Sequence, residues 1–581
     1  MLFSWAVAAA LLGGCGYVVR LGLQRATRVW GQDGPAWADI WIGLASLIAY
    51  AQLWSLVAGV RWPALLAPTV VAVLGWARAS RFLGRSVRIR ARLRPSAVAG
   101  AVGFLAIWLA NLALGPPRSY DSGLYHLGAI GYIRSFGTVP GLANLNSRFG
   151  ADDAHFLYVS LLDGSPWGLA GFHLANGLLV VMFLADMGSR LVGRRAGQLA
   201  ATPFTRLASI LSIPALLATA LGNPAGRLSS PSIDLAVLVL FAVGVLYLVE
   251  ALETRFEPTA AIAGTAMLTT ATATRTMYAP VALSAVALLL RGSMAVGDRR
   301  LGRTVVRSTA LTVAVPFVIA CGWAARQAVL CGLPFYPTKV AALPFDWTLP
   351  RAVIDDANRW VASFARSRGH TPDEVLGSWH WFKPWLRDHA KSLNTLGPSA
   401  FLVAALPPGA LLHRTVAARI RERLRPLVGA LALCLVSLVI WFVSAPDPRF
   451  VYGPLWFTAI AVLAAILPSD VRSIAGSWRA AAAVGAVTAA VLAVLVVNVV
   501  HAGAYKPVHA TGPGPLGSFD PPQPTLVTYS TRSGLVLRHP VGDDRCWQAL
   551  SCTPAVVPLV RARGSDPADG FAPIRSSAPT R

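Results

Sequence analysis

The sequence predicts an all-α polytopic membrane protein of about fourteen transmembrane helices, with extracytoplasmic loops and a small C-terminal extracytoplasmic tail. Three observations predict it. Of the 581 residues, 55% are apolar and 13% charged, whereas charged residues make up about a quarter of a soluble domain. Apolar runs of about 17–22 residues recur along the chain and match the hydrocarbon thickness of a bilayer. Arginines gather in alternate loops between those runs, as cytoplasmic loops do. The formal net charge of +25 therefore follows membrane topology. It does not form a phosphate-tracking stripe, so the partner it implies is membrane lipid and not nucleic acid.

The apolar runs fall near 2–19, 37–58, 62–77, 97–115, 168–187, 205–222, 232–251, 258–275, 277–290, 308–325, 396–412, 427–445, 451–467 and 480–500. Arg20, Arg25 and Arg28 follow the first run. Arg78, Arg81, Arg85, Arg88, Arg90, Arg92 and Arg94 follow the third, and Arg190, Arg194 and Arg195 the fifth. The ninth is followed by Arg291, Arg299, Arg300, Arg303 and Arg307, the eleventh by Arg414, Arg419, Arg421, Arg423 and Arg425. All these loops share one side when both termini are extracytoplasmic. The eighth and ninth runs are short and read as two spans or one re-entrant hairpin; as a pair, they leave the downstream topology unchanged. Met1–Gly16 ends in Leu12-Gly13-Gly14-Cys15 but has no basic residue ahead of its apolar stretch, so it reads as an uncleaved first span.

This divides the chain into a membrane domain, 1–500, with outer segments 116–167 and 326–398, and an outer tail, 501–581. Leu124, Leu127, Ile130 and Arg134 recur at helical spacing and predict an amphipathic helix on the membrane interface, ended by Gly137 and Pro140. Helices are expected near 351–367 and 373–391. Trp347, Trp360, Trp379, Trp381 and Trp385 around them read as an interfacial aromatic belt before a sugar-stacking surface. In the tail, alternating Leu526, Thr528 and Ser530, then Gly534–Leu537, predict a β-hairpin. Cys546 and Cys552 are expected to pair as a disulfide outside the cytoplasm. The last fifteen or so residues read as disordered. Cys15, Cys321, Cys331 and Cys434 read as small apolar residues, and no metal-ligand spacing occurs.

The candidate chemistry lies at span ends. Asp121, in Tyr120-Asp121-Ser122-Gly123-Leu124-Tyr125-His126, reads either as a helix N-cap or as a general base placed just beyond an apolar span. Tyr125, one turn on, and His126 are candidates for contacting a substrate. Asp152 and Asp153, with His155 nearby, form a second acidic cluster or cap another helix. Arg275 ends the eighth span and reads as a phosphate-binding guanidinium or a snorkelling side chain. Arg449, in Ala445-Pro446-Asp447-Pro448-Arg449-Phe450, either pairs with Asp447 or faces a cavity. Asp234 after Ser229-Ser230-Pro231-Ser232 reads as a first-turn acid, with Pro231 at the first helical position.

An acidic residue just after a span, followed by an interfacial helix in the first large outer loop, resembles the GT-C class of membrane glycosyltransferases. Tyr120–His126, Val139–Leu145, Phe335-Tyr336-Pro337, Pro344–Trp347 and Ala445–Phe450 are similar to stretches of a bacterial group of large GT-C-like membrane proteins, over roughly residues 95–555. The resemblance implies a bacterial inner-membrane enzyme with a polyprenyl-phosphate-linked sugar donor. The acceptor would be a glycan, lipid or protein of the cell envelope. It implies inverting transfer with Asp121 as base, and Arg275, Arg449, Tyr125, His126, Asp152 and Asp153 as substrate-binding residues. It assigns no certain cofactor; a divalent metal on loop carboxylates occurs in some members. Two alternatives of other kinds stand beside it: a transporter or flippase for lipid-linked sugars, and a polysaccharide polymerase or ligase of another membrane fold. No Gly-rich nucleotide loop lies in the inner segments, which disfavours a nucleotide-sugar donor there.

Overall fold

The computed structural model describes residues 1–28, 36–90, 97–151, 153–164, 168–191, 202–222, 227–254, 257–294, 302–411, 413–468, 477–508, 512–514 and 517–574. Apolar runs become helices because, without water, only intrasegment hydrogen bonds satisfy the backbone. The first four are α1 (Leu2–Thr27), α2 (Ala38–Ser55), α3 (Leu66–Arg90) and α4 (Ala97–Ala113). A loop segment follows with α5 (Leu127–Phe136) and α6 (Ala154–Asp163), then α7 (Phe172–Leu191), α8 (Pro203–Leu221), α9 (Ile233–Glu253), α10 (Pro258–Thr274), α11 (Ala279–Met294) and α12 (Gly302–Cys331). The second loop segment carries α13 (Arg351–Arg366), α14 (Pro372–Val375) and α15 (Phe382–Ala390). It leads into α16 (Leu393–Val403), α17 (Leu406–Leu411), α18 (His413–Glu422), α19 (Leu424–Ser444), α20 (Tyr452–Ile466) and α21 (Trp478–His501). The tail pairs β1 (Leu526–Ser530) with β2 (Val536–Pro540), and β3 (Val560–Ala562) with β4 (Phe571–Pro573), both antiparallel.

The chain is a mostly helical membrane protein. Among the described residues, nine helices are long and apolar enough to cross a bilayer: α1, α3 with the turn before it, α7, α8, α9, α12, α19, α20 and α21. The apolar stretches Ala99–Ala113 and Thr276–Leu290 are shorter. Every run read from the sequence coincides with a helix, but the 396–412 run is divided between α16 and α17, and α10 and α11 are separate helices joined by a Thr276–Tyr278 turn. The most buried helix is α9, with 94% of its apolar window enclosed against 17% for α21. A helix apolar all round belongs at the centre, and α7, α8, α10, α19 and α20 pack around it.

Where α1 meets α2, the backbones nearly touch. A Cβ on Gly16 would stand 1.8 Å from the Asp39 carbonyl oxygen, and one on Gly43 1.9 Å from that of Leu12. Small residues allow this approach, which supplies packing where lipid offers no hydrophobic drive. The same seam buries an ion pair: Arg20 Nε donates to Asp39 Oδ1 at 2.6 Å, and a second guanidinium nitrogen to Oδ2 at 3.1 Å. At the opposite end of α9 from the site below, Trp41 and Tyr247 donate to Asp186 Oδ2 at 2.8 and 2.9 Å, and Arg190 donates to Glu250 at 2.7 Å.

Four expectations are corrected. The helix expected on the interface in segment 116–167 begins as a π-helical turn, Ser122–His126, and continues as α5. Its apolar residues Leu124, Leu127 and Ile130 are buried among α6 and the tail, which leaves no apolar stripe for lipid. The chain end up to Ile574 is ordered as a turn at Pro567–Asp569 and strand β4, because Phe571 is buried and its N–H donates to Pro140 O at 2.9 Å; residues 575–581 lie outside the described set. Pro231 precedes the N-cap Ser232 and does not occupy the first helical position. The 373–391 helix is interrupted at Gly377, whose φ is +103°. The hairpin read at 526–537 forms as β1–β2.

Asp39→Ala would leave the Arg20 guanidinium buried without its carboxylate. The expected cost is about 3–5 kcal/mol, measured as a lowered thermal unfolding midpoint of the purified protein in lipid nanodiscs. An unchanged midpoint would mean the pair does not hold α1 to α2.

Candidate functional site

Four chain segments converge at one end of the bundle. Asp121 lies in the first turn of the helix that follows α4. Asp234 is in the first turn of α9, Arg275 is the residue after α10, and Arg449 sits in the Pro448–Val451 turn before α20. These are helix ends, the places where a charged group can stay hydrated beside an apolar span.

Arg449 is the hub. One guanidinium nitrogen donates to Asp121 Oδ2 at 3.1 Å, and Nε pairs with Asp447 Oδ2 at 3.4 Å. Asp447 is itself buried, caps its turn by accepting from the Arg449 N–H at 3.0 Å, and takes a further hydrogen bond from Arg368 at 3.1 Å. Arg275 is paired with Asp234 and donates to the Arg449 carbonyl oxygen at 3.4 Å. Both guanidiniums stack on Phe450, at 4.7 Å for Arg275 and 5.0 Å for Arg449, and Arg449 also lies over Phe364 of α13. The Phe450 carbonyl is fixed by the Tyr278 hydroxyl at 3.0 Å. Three arginines and three aspartates are thus interleaved on an aromatic platform.

The structure brings Asp121, Arg275, Arg449, Tyr125 and His126 into this region. Asp121 makes no capping hydrogen bond; its carboxylate is turned to Arg449. Arg449 pairs with Asp447, the first of the two readings offered for it, and pairs with Asp121 as well. Asp234 sits in the first turn as read, and its carboxylate neutralises Arg275. The Tyr125 phenol is raised well above its ordinary pKa by burial, then by the carboxylates of Asp121 and Asp153. His126 is buried, with Nδ1 3.4 Å from Ser122 Oγ and Nε2 without a hydrogen-bond partner among the described residues. Asp153 is the N-cap residue of α6, and its side chain makes no capping bond. Asp152 lies outside the described residues. Among those described, no three His, Cys, Asp or Glu side chains converge as metal ligands.

The family described as Domain of unknown function (DUF8201) matches residues 1–456. The chain belongs to that family. No curated protein matches it. The DUF8201 region takes in Asp121, Asp234, Arg275 and Arg449, whereas the tail lies beyond it.

That tail nevertheless covers the Asp121 helix. The Trp547 N–H donates to Gly123 O at 2.8 Å, and the Ser551 N–H to the Tyr132 hydroxyl at 3.0 Å. Tyr120 donates to Asp544 at 2.5 Å, and Arg545 lies 5.5 Å from the Tyr120 ring centre. Cys546 and Cys552 are disulfide-bonded and close the loop that carries Trp547. A Cβ on Gly123 would stand 2.9 Å from both Arg545 Cβ and Trp547 Cε2, so the glycine is what lets the tail approach. Sequence reasoning missed Arg368, Phe364, Arg545 and the second role of Trp547. Its only available signal was a seven-residue cysteine loop with a tryptophan inside.

Gly123→Val is expected to push the tail from the helix at a cost of about 1–3 kcal/mol. Hydrogen exchange of residues 120–136 and 545–552 should then rise together; exchange confined to the valine's neighbours would refute the clamp.

Burial pushes the His126 imidazole down to about 4, against an unfolded value of about 6.5. The folded chain therefore binds fewer protons between these values, so stability is full above about pH 6.5 and falls as pH drops toward about 4, by ~3 kcal/mol. The thermal midpoint should decline from about pH 7 to about pH 4.5, with a shallower decline in His126→Gln. Equal slopes in the two proteins would show that His126 is not the group responsible.

Proposed function

We propose that the chain is an inverting glycosyltransferase of GT-C-like fold, with about fourteen membrane spans and both termini outside the bacterial inner membrane. It would transfer a sugar from a polyprenyl-phosphate donor to a glycan, lipid or protein of the cell envelope. The observation that carries this reading is the Asp121 carboxylate held 3.1 Å from Arg449, with Arg275 stacked on the same Phe450 ring. Acid and cations then lie side by side at a span end, where an acceptor hydroxyl and a lipid-borne phosphate can both reach.

In this mechanism the Asp121 carboxylate takes the proton of the acceptor hydroxyl as its oxygen attacks the anomeric carbon. The bond from that carbon to the phosphate oxygen breaks, and the electron pair leaves with the polyprenyl phosphate. Guanidiniums oriented in advance meet the charge that develops on the leaving oxygen. Attack opposite the leaving group inverts the anomeric centre. In this reading Tyr125 and His126 would contact the sugar.

The test is complementation of a deletion strain with wild type or Asp121→Asn, matched for membrane abundance, followed by envelope glycan composition and linkage analysis. Loss of a general base lowers rate by about 10²–10⁴-fold, so the same sugar or linkage should stay missing with the asparagine variant. Full restoration by Asp121→Asn would remove the general-base mechanism and turn attention to transport.

A further inference from the structure

The helix α13 exposes the wrong surface for a soluble loop. Its sequence places Val353, Trp360, Val361 and Phe364 within one narrow arc at 100° per residue. All four are exposed, Trp360 at 48%. The adjoining edge, Ile354 and Ala365, is buried against the protein. On the far arc stand Asp355, Arg359 and Arg366. Asp355 is paired with Lys339 and Arg359 with Asp373, both pairs largely exposed. The helix thus has a protein-facing edge, a charged face solvated at Asp355 and Arg359, and an apolar face that stays exposed among the described residues.

What lies beside the end of α13 identifies the occupant of that face. The α13 end is fastened to α19, one of the membrane-spanning helices: Arg366 donates to the Val443 and Ser444 carbonyl oxygens at 3.0 and 3.2 Å, supplying the orphan acceptors of the α19 terminus. Val439 and Val443 are exposed on α19, the surface a spanning helix turns to lipid. Trp379, exposed at 69%, is stacked at 5.5 Å on Trp381 and lies 6.2 Å from Phe442 of α19. The Trp385 indole donates to Pro446 O at 2.7 Å. Aromatic side chains concentrate where hydrocarbon gives way to headgroups. Arg366 also lies 5.3 Å from the Trp381 ring centre, so the end of α13, the tryptophan cluster and the outer side of α19 adjoin.

We infer that α13 and the Trp379–Ala390 stretch lie in the membrane surface, with Val353, Trp360, Val361, Phe364 and Trp379 in the acyl boundary and the Asp355–Arg359 face in water. The occupant of the apolar face is the lipid leaflet itself. Phe364 has a second neighbour, since Arg449 and Arg368 lie 5.6 and 5.3 Å from its ring centre. The embedded helix therefore sets those guanidiniums at headgroup depth, where the phosphate they meet is carried on a lipid. The placement stands independently of the transfer reaction proposed above.

The experiment is nitroxide accessibility in lipid nanodiscs, on full-length protein carrying Cys321→Ser, because Cys321 is the exposed free cysteine among the described residues. Val353→Cys, Trp360→Cys and, on the charged face, Asp355→Cys are each spin-labelled, and collisions with oxygen and with a water-soluble nickel chelate are compared. Oxygen should dominate at 353 and 360, with an oxygen-to-nickel ratio several-fold above that at 355. Val353 is a small exposed side chain, so its variant carries the test if Trp360→Cys does not fold. A nickel-dominated signal at 353 and 360 equal to that at 355 would overturn the proposal. So would exclusion of both probes at 353 and 360, which would mean protein covers the face.

Discussion

Arg449 joins parts of the chain that lie 328 residues apart, and most of the site is arranged around it. Its guanidinium needs carboxylates because a cation at the end of an apolar bundle is costly unless paired or hydrated. Asp447 answers from within the same turn, which Pro446 and Pro448 stiffen. Asp121 answers from the helix that follows α4. Once Arg449 is placed, Phe450 is placed too, and Phe450 is the surface on which Arg275 rests. Arg275 in turn fixes Asp234 and with it the start of α9, the most buried helix. A single turn between α19 and α20 therefore sets the relation between α4, α9, α10 and α20 at that end. At the far end, Asp186, Arg190 and Glu250 satisfy one another with Trp41 and Tyr247. There the polar groups close on themselves; at the Arg449 end the half-buried Asp121 and Arg449 keep an edge toward solvent.

Much of the helical frame was legible because a run of apolar residues in lipid has few other options. The Asp121 position was legible for the same reason: an acid immediately after a span stands out against 13% charged residues. What Asp121 touches was not legible. An aspartate ahead of Ser-Gly-Leu has the same sequence signature whether its carboxylate caps its own helix or reaches a guanidinium hundreds of residues away. Asp234 shows the same ambiguity, since first-turn aspartates suit the helix dipole and also pair with tertiary cations. The strands β3 and β4 escaped because three residues are too few for alternation to register, and their pairing depends on Phe571 finding a buried site under Pro140. The α5 helix was read by its period, but the period cannot say whether lipid or the tail covers the stripe.

The tail changes how the site should be viewed. The family match ends at residue 456, so the Asp121 helix receives one set of constraints from within the DUF8201 region and another from beyond it. Gly123 is the point of contact, and the π-helical turn there frees a carbonyl that the Trp547 N–H can take. The disulfide keeps the Trp547 loop compact, which lowers the conformational entropy that docking must overcome. A segment that looked like a separate small domain thus acts on the residue two positions from the candidate base.

The geometry also imposes an order on the proposed chemistry. As the structure stands, one oxygen of Asp121 is engaged by Arg449, and a lone pair held by a guanidinium is not available to an incoming hydroxyl. A phosphate entering beside Phe450 would compete for that guanidinium as a stronger, bidentate acceptor. Arg449 has a fixed anchor in Asp447 and can turn about it without losing every partner. Binding of the donor would then draw the cation from Asp121 and leave the carboxylate facing the acceptor. In that arrangement the base is exposed only once the leaving group is in place, so the acceptor is not activated ahead of the sugar it is to receive. The same pair would couple the two substrates of the proposed reaction.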